Sequence, residues 1–453
     1  MYSNFDISTY LANLPSNVTE INVSNKKLTY LPDLSRFTHL KKLDCSRNDL
    51  TYLPNLNFSL LYLDCSYNNL HSIPALNDKL EFLNCSFNPE LFSIPSLNDN
   101  LIFLKCSDNE LTDLPCLKNL KQLNCCRNKI SCLPELPVTL VLLDCSNNQL
   151  TCFPCENFHT GLKNIYCARN KITHLPILNY DLNTLFCSYN CLKELPVLNK
   201  NLVFLECDNN KIKSIPNFNL ELEMMDCSYN KLESLPNLND KLVNFTCSNN
   251  KLKKIPILNN NLEYLNCNNN LLTWLPSLNN CLKTLFCRNN LLQSIPKLNK
   301  ELIDLDCCYN HLKQLPILND KLEYIYCFNN KITHLPVFNS KELINIVFSN
   351  NPIYETIFGN NINFHHHDHY LFGSFHNLLL LQDSMIHLKR KIQILNNFKS
   401  LFYILKYKQK LRHFLWDKIR RPKIEEKYHP SNLQKIIDEL TEQDDLTEIL
   451  ENW

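Results

Sequence analysis

Glycine is nearly absent from this chain, with three residues in 453, at Gly161, Gly359 and Gly373. No GxxxxGK[ST] or GxGxxG loop can be assembled from them, which excludes the usual backbone cradles for nucleotide phosphates. Net charge is almost absent too: 46 Lys and Arg stand against 45 Asp and Glu, leaving +1 and no global pull toward nucleic acid or an anionic bilayer. No stretch approaches the ~18 continuous apolar residues of a membrane span. The opening segment, MYSNFDISTYLANLPSN, lacks a basic stretch followed by an apolar run and does not read as a secretory leader. These absences lead us to expect a soluble, intracellular protein acting in the cytoplasm.

Cysteine and proline, in contrast, are plentiful, at 23 and 22 residues, and both are periodic. From Leu182 the chain reads LNTLFCSYNCLKELPVLNKN, LVFLECDNNKIKSIPNFNLE and onward, a 20-residue unit of the form LxxLxCxxNxLxxLPxLNxx. The anchor cysteines are Cys45, Cys65, Cys85, Cys106, Cys125, Cys145, Cys167, Cys187, Cys207, Cys227, Cys247, Cys267, Cys287, Cys307 and Cys327. Val23 holds that slot in a divergent first unit and Phe348 in a divergent last one, giving about seventeen units. A period of this length marks a solenoid, in which each unit buries its apolar face only against its neighbours.

Each slot has a physical task. The second Leu and the Cys lie two apart, so both point to one side of a short strand and the residue between them to the other. Parallel strands about 4.8 Å apart would make a sheet about 80 Å long around its arc. The Asn at the ninth position, from Asn48 to Asn351, follows the strand where the chain turns inward, and its amide can satisfy backbone groups left unpaired there. Five residues on, a Leu-Pro or Ile-Pro pair such as Leu195-Pro196 or Ile215-Pro216 fixes φ and biases the residue before it, so the return limb should be extended.

The unit resembles the short bacterial-type leucine-rich repeat of secreted effectors, LxxLxVxxNxLxxLPxLPxx. Leu133-Pro-Glu-Leu-Pro137 restores the second Pro of that pattern, where Leu-Asn stands in most other units. The resemblance covers about three quarters of the chain. It implies a parallel-strand horseshoe with a mostly extended convex side; with the α-helical C-terminal cap read from the residues after the repeats, the fold expected is an α/β-type repeat solenoid. The bias toward Asn, Ile and Lys, with Cys in place of Val, is also similar to leucine-rich-repeat proteins of large amoeba-infecting DNA viruses, as is the run from Trp416 to Pro430. Residues 1–17 read as an N-terminal cap segment, 18–353 as the repeats and 354–453 as a helical domain.

Fifteen thiols in an inward slot suggest small apolar fillers, reduced and buried, rather than a disulfide framework. The cysteines at 116, 126, 132, 152, 155, 191, 281 and 308 fall outside that slot, and Cys152-Phe-Pro-Cys155 has metal half-site spacing without a second pair. The cluster His365, His366, His367, Asp368 and His369 reads either as a polar linker or as a set of ligands for zinc or nickel. Beyond it, Leu388, Ile392, Leu395, Phe398, Phe402 and Leu405 recur at helical spacing, as expected of a cap over the last repeat. Between His387 and Lys427 there are thirteen Lys or Arg against three acids, and from Asp438 onward seven acids and no base, so these helices neutralise each other or offer a charged face.

The function expected is non-enzymatic: binding of a protein partner, a host protein among the candidates, on the concave sheet face. No cofactor, resident metal or small-molecule substrate is expected. The residues assigned to partner binding are Tyr166, Phe186, Tyr189, Phe204, Glu206, Asp226, Tyr229, Tyr264, Phe286, Asp306, Tyr309, Tyr324 and Tyr326. Two rivals differ in class. Some effectors with similar repeats carry a C-terminal ubiquitin ligase whose Cys forms a thioester, but no Cys follows Cys327 here. Nucleic-acid binding through the basic C-terminal helices would show as a steep salt dependence.

Overall fold

The structure, a computed structural model, describes residues 5–154, 158, 161–334, 336 and 345–353. The His cluster, Cys155 and the whole expected C-terminal domain, 354–453, lie outside the described residues. The chain divides into two units, Met1–Lys331 with Asn339–Val347, and Ile332–Phe338 with Phe348–Trp453.

The first unit begins with helix α1 (Ile7–Ala12), capped by Asp6, whose carboxylate accepts the N–H of Ser8 at 3.0 Å and of Thr9 at 3.3 Å. Ile7 and Leu11 are its buried face. Strands of three residues follow: β1 (Glu20–Asn22), β2 (Lys42–Asp44), β3 (Tyr62–Asp64), β4 (Phe82–Asn84), β5 (Phe103–Lys105), β6 (Gln122–Asn124), β7 (Leu142–Asp144) and β8 (Asn164–Tyr166). The series continues with β9 (Thr184–Phe186), β10 (Phe204–Glu206), β11 (Met224–Asp226), β12 (Asn244–Thr246), β13 (Tyr264–Asn266), β14 (Thr284–Phe286), β15 (Asp304–Asp306), β16 (Tyr324–Tyr326) and β17 (Asn345–Val347). Every consecutive pair is parallel and in the same register, as where Leu205 of β10 faces Leu185 of β9 and Met225 of β11. Between β1 and β16 the return limbs contain no helix among the described residues, as the Pro positions require.

The middle residue of each strand from β1 to β16 is buried, and so is the anchor residue just beyond it; all fifteen anchor cysteines have zero exposure. Val23 occupies the same buried position in the first repeat. Leu40, Leu60, Leu80 and their equivalents close the core before each strand, each fully buried Leu contributing about 1.5 to 3 kcal/mol. None of the fifteen anchor cysteines is joined in a disulfide. Burial pushes each of them up, Cys85, Cys267 and Cys327 to about 12, so none is a nucleophile near neutral pH.

The repeat Asn performs the task expected of it, and does so between repeats. From Asn48 to Asn330, each Nδ2 donates to the carbonyl of its own anchor residue and to that of the preceding repeat. Asn210 is representative: it donates to Cys187 at 3.0 Å and Cys207 at 3.1 Å, and its Oδ1 accepts the N–H of Leu192 at 3.0 Å. In the second unit, Asn351 likewise donates to the Phe348 carbonyl at 3.0 Å and accepts the Ile332 N–H at 2.9 Å.

A second amide ladder runs along the return limb, where the effector pattern has its second Pro. Asn57 donates to the carbonyls of Leu34 at 2.9 Å and Phe37 at 3.1 Å, and Asn299 to those of Asn279 at 2.6 Å and Leu282 at 2.9 Å. The same bonds recur from Asn77, Asn98, Asn219, Asn259, Asn279 and Asn319. A Pro fixes this limb through φ alone, whereas the Asn fixes it by bonding to the repeat before it.

Two outcomes follow. Asn210→Leu leaves the Leu192 N–H without its acceptor and the Cys187 and Cys207 carbonyls with one amide donor each, Asn190 and Asn230, instead of two; it should cost about 1 to 3 kcal/mol in denaturant unfolding, with amide exchange rising first on both sides of β10. A thiol reagent on native protein should modify the exposed Cys116, Cys132, Cys152 and Cys281 and spare the anchor thiols until the chain unfolds; rapid labelling of the anchors would contradict the register.

Candidate functional site

The sheet has one face in the core and one toward solvent, and the first and third residues of each strand form the solvent face. Ten of the thirteen expected binding residues lie there: Phe204, Tyr264 and Tyr324 in first positions, and Tyr166, Phe186, Glu206, Asp226, Phe286, Asp306 and Tyr326 in third positions. All ten are half-buried rather than exposed. Ring packing across strands is one cause, since Tyr166 meets Phe186 edge-on at 5.3 Å and Tyr264 meets Phe286 edge-on at 5.7 Å. Such packing accounts for part of the burial of these rings and still leaves part of each in solvent.

Tyr189, Tyr229 and Tyr309 form a separate row. Each stands two residues past its anchor Cys, and each adopts a left-handed backbone with φ of 54°, 50° and 52°. The same slot is left-handed in all seventeen repeats, from Asn25 to Asn350, with φ between 50° and 58°. The turn requires it, because the N–H of Tyr189 must reach the Asp208 carbonyl at 2.9 Å while the Asn190 N–H reaches that of Asn209 at 3.2 Å. Asn tolerates this conformation and holds the slot at 25, 147, 209, 249, 269, 289, 329 and 350. Aromatic and basic residues do not favour it, and several of those that occur are engaged: Arg47 lies 4.6 Å over Tyr67 and Arg169 4.3 Å over Tyr189, while Arg288, one residue before the slot, lies 4.8 Å over Tyr309.

The third-position acids have a structural task as well. Asp226 accepts the N–H of Ser228 at 2.8 Å and Asp306 that of Cys308 at 3.0 Å, closing the turn after the strand, as Asp44 and Asp64 do in their repeats. These bonds do not neutralise them. Among the described residues, no ion pair engages Glu206, Asp208, Asp226, Asp304 or Asp306. Burial, with the neighbouring charges of Asp208 and Asp226, pushes the Glu206 carboxyl up; burial pushes Asp226 up; burial beside Asp306 brings Asp304 to about 6.

Sequence reasoning passed over the N-terminal rings of the face. Tyr62 stacks on Phe82 at 4.3 Å, with Lys42 5.5 Å from the Tyr62 ring and Lys105 5.8 Å from that of Phe82. The alternation rule would have found them had it been applied from β1 onward. From β8 to β16, by contrast, no outward strand position is basic, four are acidic and seven are aromatic. Around Tyr189 and Tyr229 this surface dips into an open depression of about 540 Å³ whose base includes Asn190, Asn209 and Asn210.

A search of solved structures returns proteins of the same architecture. YopM of Yersinia pestis, a leucine-rich effector protein, aligns over 73% of this chain and 88% of its own at 29% identity, with a TM-score of 0.59. The chain has the leucine-rich-repeat fold, with repeats resembling those of bacterial effectors. Two further solved structures agree. The protein LIC12759 of Leptospira interrogans shares the fold at 24% identity and a TM-score of 0.58, over 78% of this chain and 96% of its own. The functional domain of InlJ from Listeria monocytogenes, which includes a cysteine ladder, aligns at 27% identity and a TM-score of 0.50, over 74% of this chain and 68% of its own. No protein-family model and no curated protein matches the chain. The leucine-rich-repeat solenoid is an architecture typical of protein–protein interaction and usually non-enzymatic, and no helix among the described residues is long and apolar enough to cross a membrane.

The raised Asp304 carboxyl yields a pH prediction. Between about pH 4 and 6 the native state holds a proton at Asp304 that the unfolded chain has released, so stability falls as pH rises through that window. Asp304→Asn should flatten this slope and raise stability at pH 7; an unchanged slope in denaturant titrations would show that the carboxyl is not held up.

Proposed function

We propose that the chain is a non-enzymatic scaffold that binds a protein partner on the solvent face of its sheet, between β8 and β16. The observation that carries this reading is the composition of that face: aromatic and acidic outward positions with no basic one among them. Half-exposed rings supply apolar contact area, and acids without counter-charges favour a partner with basic groups around an apolar centre, so that steering comes from the rim and energy from the middle. A cytoplasmic site of action, within a host cell if the protein is viral, belongs to the same proposal and is supported by the sequence composition.

Ligase chemistry of the thioester type at the anchor cysteines is disfavoured, because burial holds their thiols protonated. Basic residues that would suit nucleic acid fall after residue 353, outside the described residues.

The test compares the two sides of the solenoid. Partner captured by the full chain and quantified against Phe186→Ala/Phe204→Ala should bind at least about tenfold more weakly, while the return-limb change Lys213→Ala leaves affinity unchanged. Loss with Lys213→Ala alone, at unaltered stability, would refute the sheet-face reading.

A further inference from the structure

We infer that the cleft between Tyr189 and Tyr229 receives an arginine side chain of the partner, an inference that rests on the protein-binding reading of the sheet face. The row just past the strands carries tyrosine at four described positions, Tyr67, Tyr189, Tyr229 and Tyr309. Tyr67 lies between Arg47 and Phe87, at 4.6 Å and 4.1 Å, Tyr189 has Arg169 over it, and Tyr309 has Arg288 and, edge-on at 5.1 Å, Phe328. Tyr229 has neither a cation nor a second ring against it among the described residues, and it is the most exposed of the four at 55%.

Geometry makes Tyr229 one wall of a slot. Tyr189 and Tyr229 belong to alternate repeats, two interstrand steps or about 10 Å apart, so a group midway would lie about 5 Å from each ring. That is within the ~6 Å over which a cation is attracted to a ring face. Asn209, from the repeat between them, has a short side chain and is held down by its bond to Asp208 at 2.7 Å, so it lines the bottom of the depression without filling it. Arg169 comes from the repeat before Tyr189 and covers that side of the ring, leaving the other toward Asn209.

The charge at the rim fits the same occupant. Asp208 and Asp226 line a second depression of about 390 Å³ that adjoins the first and shares both tyrosines and Asn209 with it, and Glu206 lies beside them on β10. The chemistry required is a flat cation that stacks on aromatic faces and presents several N–H donors to carboxylates. Guanidinium meets all of these conditions, and the chain itself places arginine on tyrosine three times in this row; an ammonium supplies the charge without the plane.

The probe is the peptide acetyl-Gly-Arg-Gly-Arg-Gly-amide, titrated into the full chain at low salt beside its lysine counterpart. The arginine peptide should bind at least about fivefold more tightly than the lysine one. Tyr229→Asn should weaken it at least about fivefold and Tyr229→Phe should not, because the ring and not the hydroxyl carries the contact. Asn already occupies this left-handed slot at 209 and 249, so Tyr229→Asn should fold at least as stably, and loss of binding cannot be assigned to unfolding. Tyr309→Asn serves as the control and should leave affinity unchanged. Equal affinity of the two peptides, an unaffected Tyr229→Asn variant, or no binding of the arginine peptide overturns the inference. If partner capture still depends on Phe186 and Phe204 in that event, the sheet-face reading survives without the arginine site; if the peptide result holds while capture ignores those rings, only the broader reading falls.

Discussion

The structure depends on one buried interaction, the side-chain amide of the repeat asparagine. A three-residue strand can form few ladder bonds, and the chain then turns into the core with its carbonyls still unpaired. One amide repairs this by binding its own anchor carbonyl, that of the preceding repeat and an N–H beyond it. Hydrophobic burial draws the repeats together, but it is non-directional and would tolerate sliding. The amide does not, because a shift of one residue would leave several buried polar groups without partners at once. Register, the left-handed slot and the position of every outward side chain are consequences of that constraint.

Much of this was legible in the chain. The Leu-x-Cys spacing identified the buried side of each strand, and the ninth-position Asn identified the turn, because both rest on local geometry repeated many times. The role of the second asparagine was not legible: at Asn57 or Asn299 it resembles a polar surface residue, and only stacking reveals its bonds to the repeat before it. The left-handed slot was likewise concealed, since residues as different as Arg47, Phe87 and Asn249 fill it. Tyr189, Tyr229 and Tyr309 were assigned to a single face with the strand residues, whereas they form a row of their own, set by backbone conformation rather than by strand alternation. The acids Asp226 and Asp306 could be located from the sequence, but their second task, closing the turn, needed the distance to the N–H two residues on.

The two halves of the sheet face differ in how they treat charge. Toward the N-terminus, Lys42 and Lys105 stand beside Tyr62 and Phe82, and Glu20 holds Lys42 at 2.7 Å. From β8 onward the acids repel one another and are partly withdrawn from water, which the raised Glu206, Asp226 and Asp304 carboxyls express. A surface of this kind stores unfavourable electrostatic energy that a cationic partner would relieve. The lysine–glutamate bridges farther along, Lys241 with Glu221 and Lys283 with Glu263, precede the strands and leave this face uncompensated.

The irregular repeats show where this design can absorb change. Cys145 and Cys167 are twenty-two residues apart, the two extra residues falling between Leu150 and Leu162, yet Leu143 still pairs with Ile165. The longer step from Cys85 to Cys106 begins at Pro89 and Glu90, and Leu83 still faces Leu104. Length variation is thus confined to the outer loops, while the inner face is counted out in fixed steps like the teeth of a rack. A recognition surface built in this way can gain or lose a whole rung, and so change its reach by about 5 Å, without disturbing the side chains on either side of the splice.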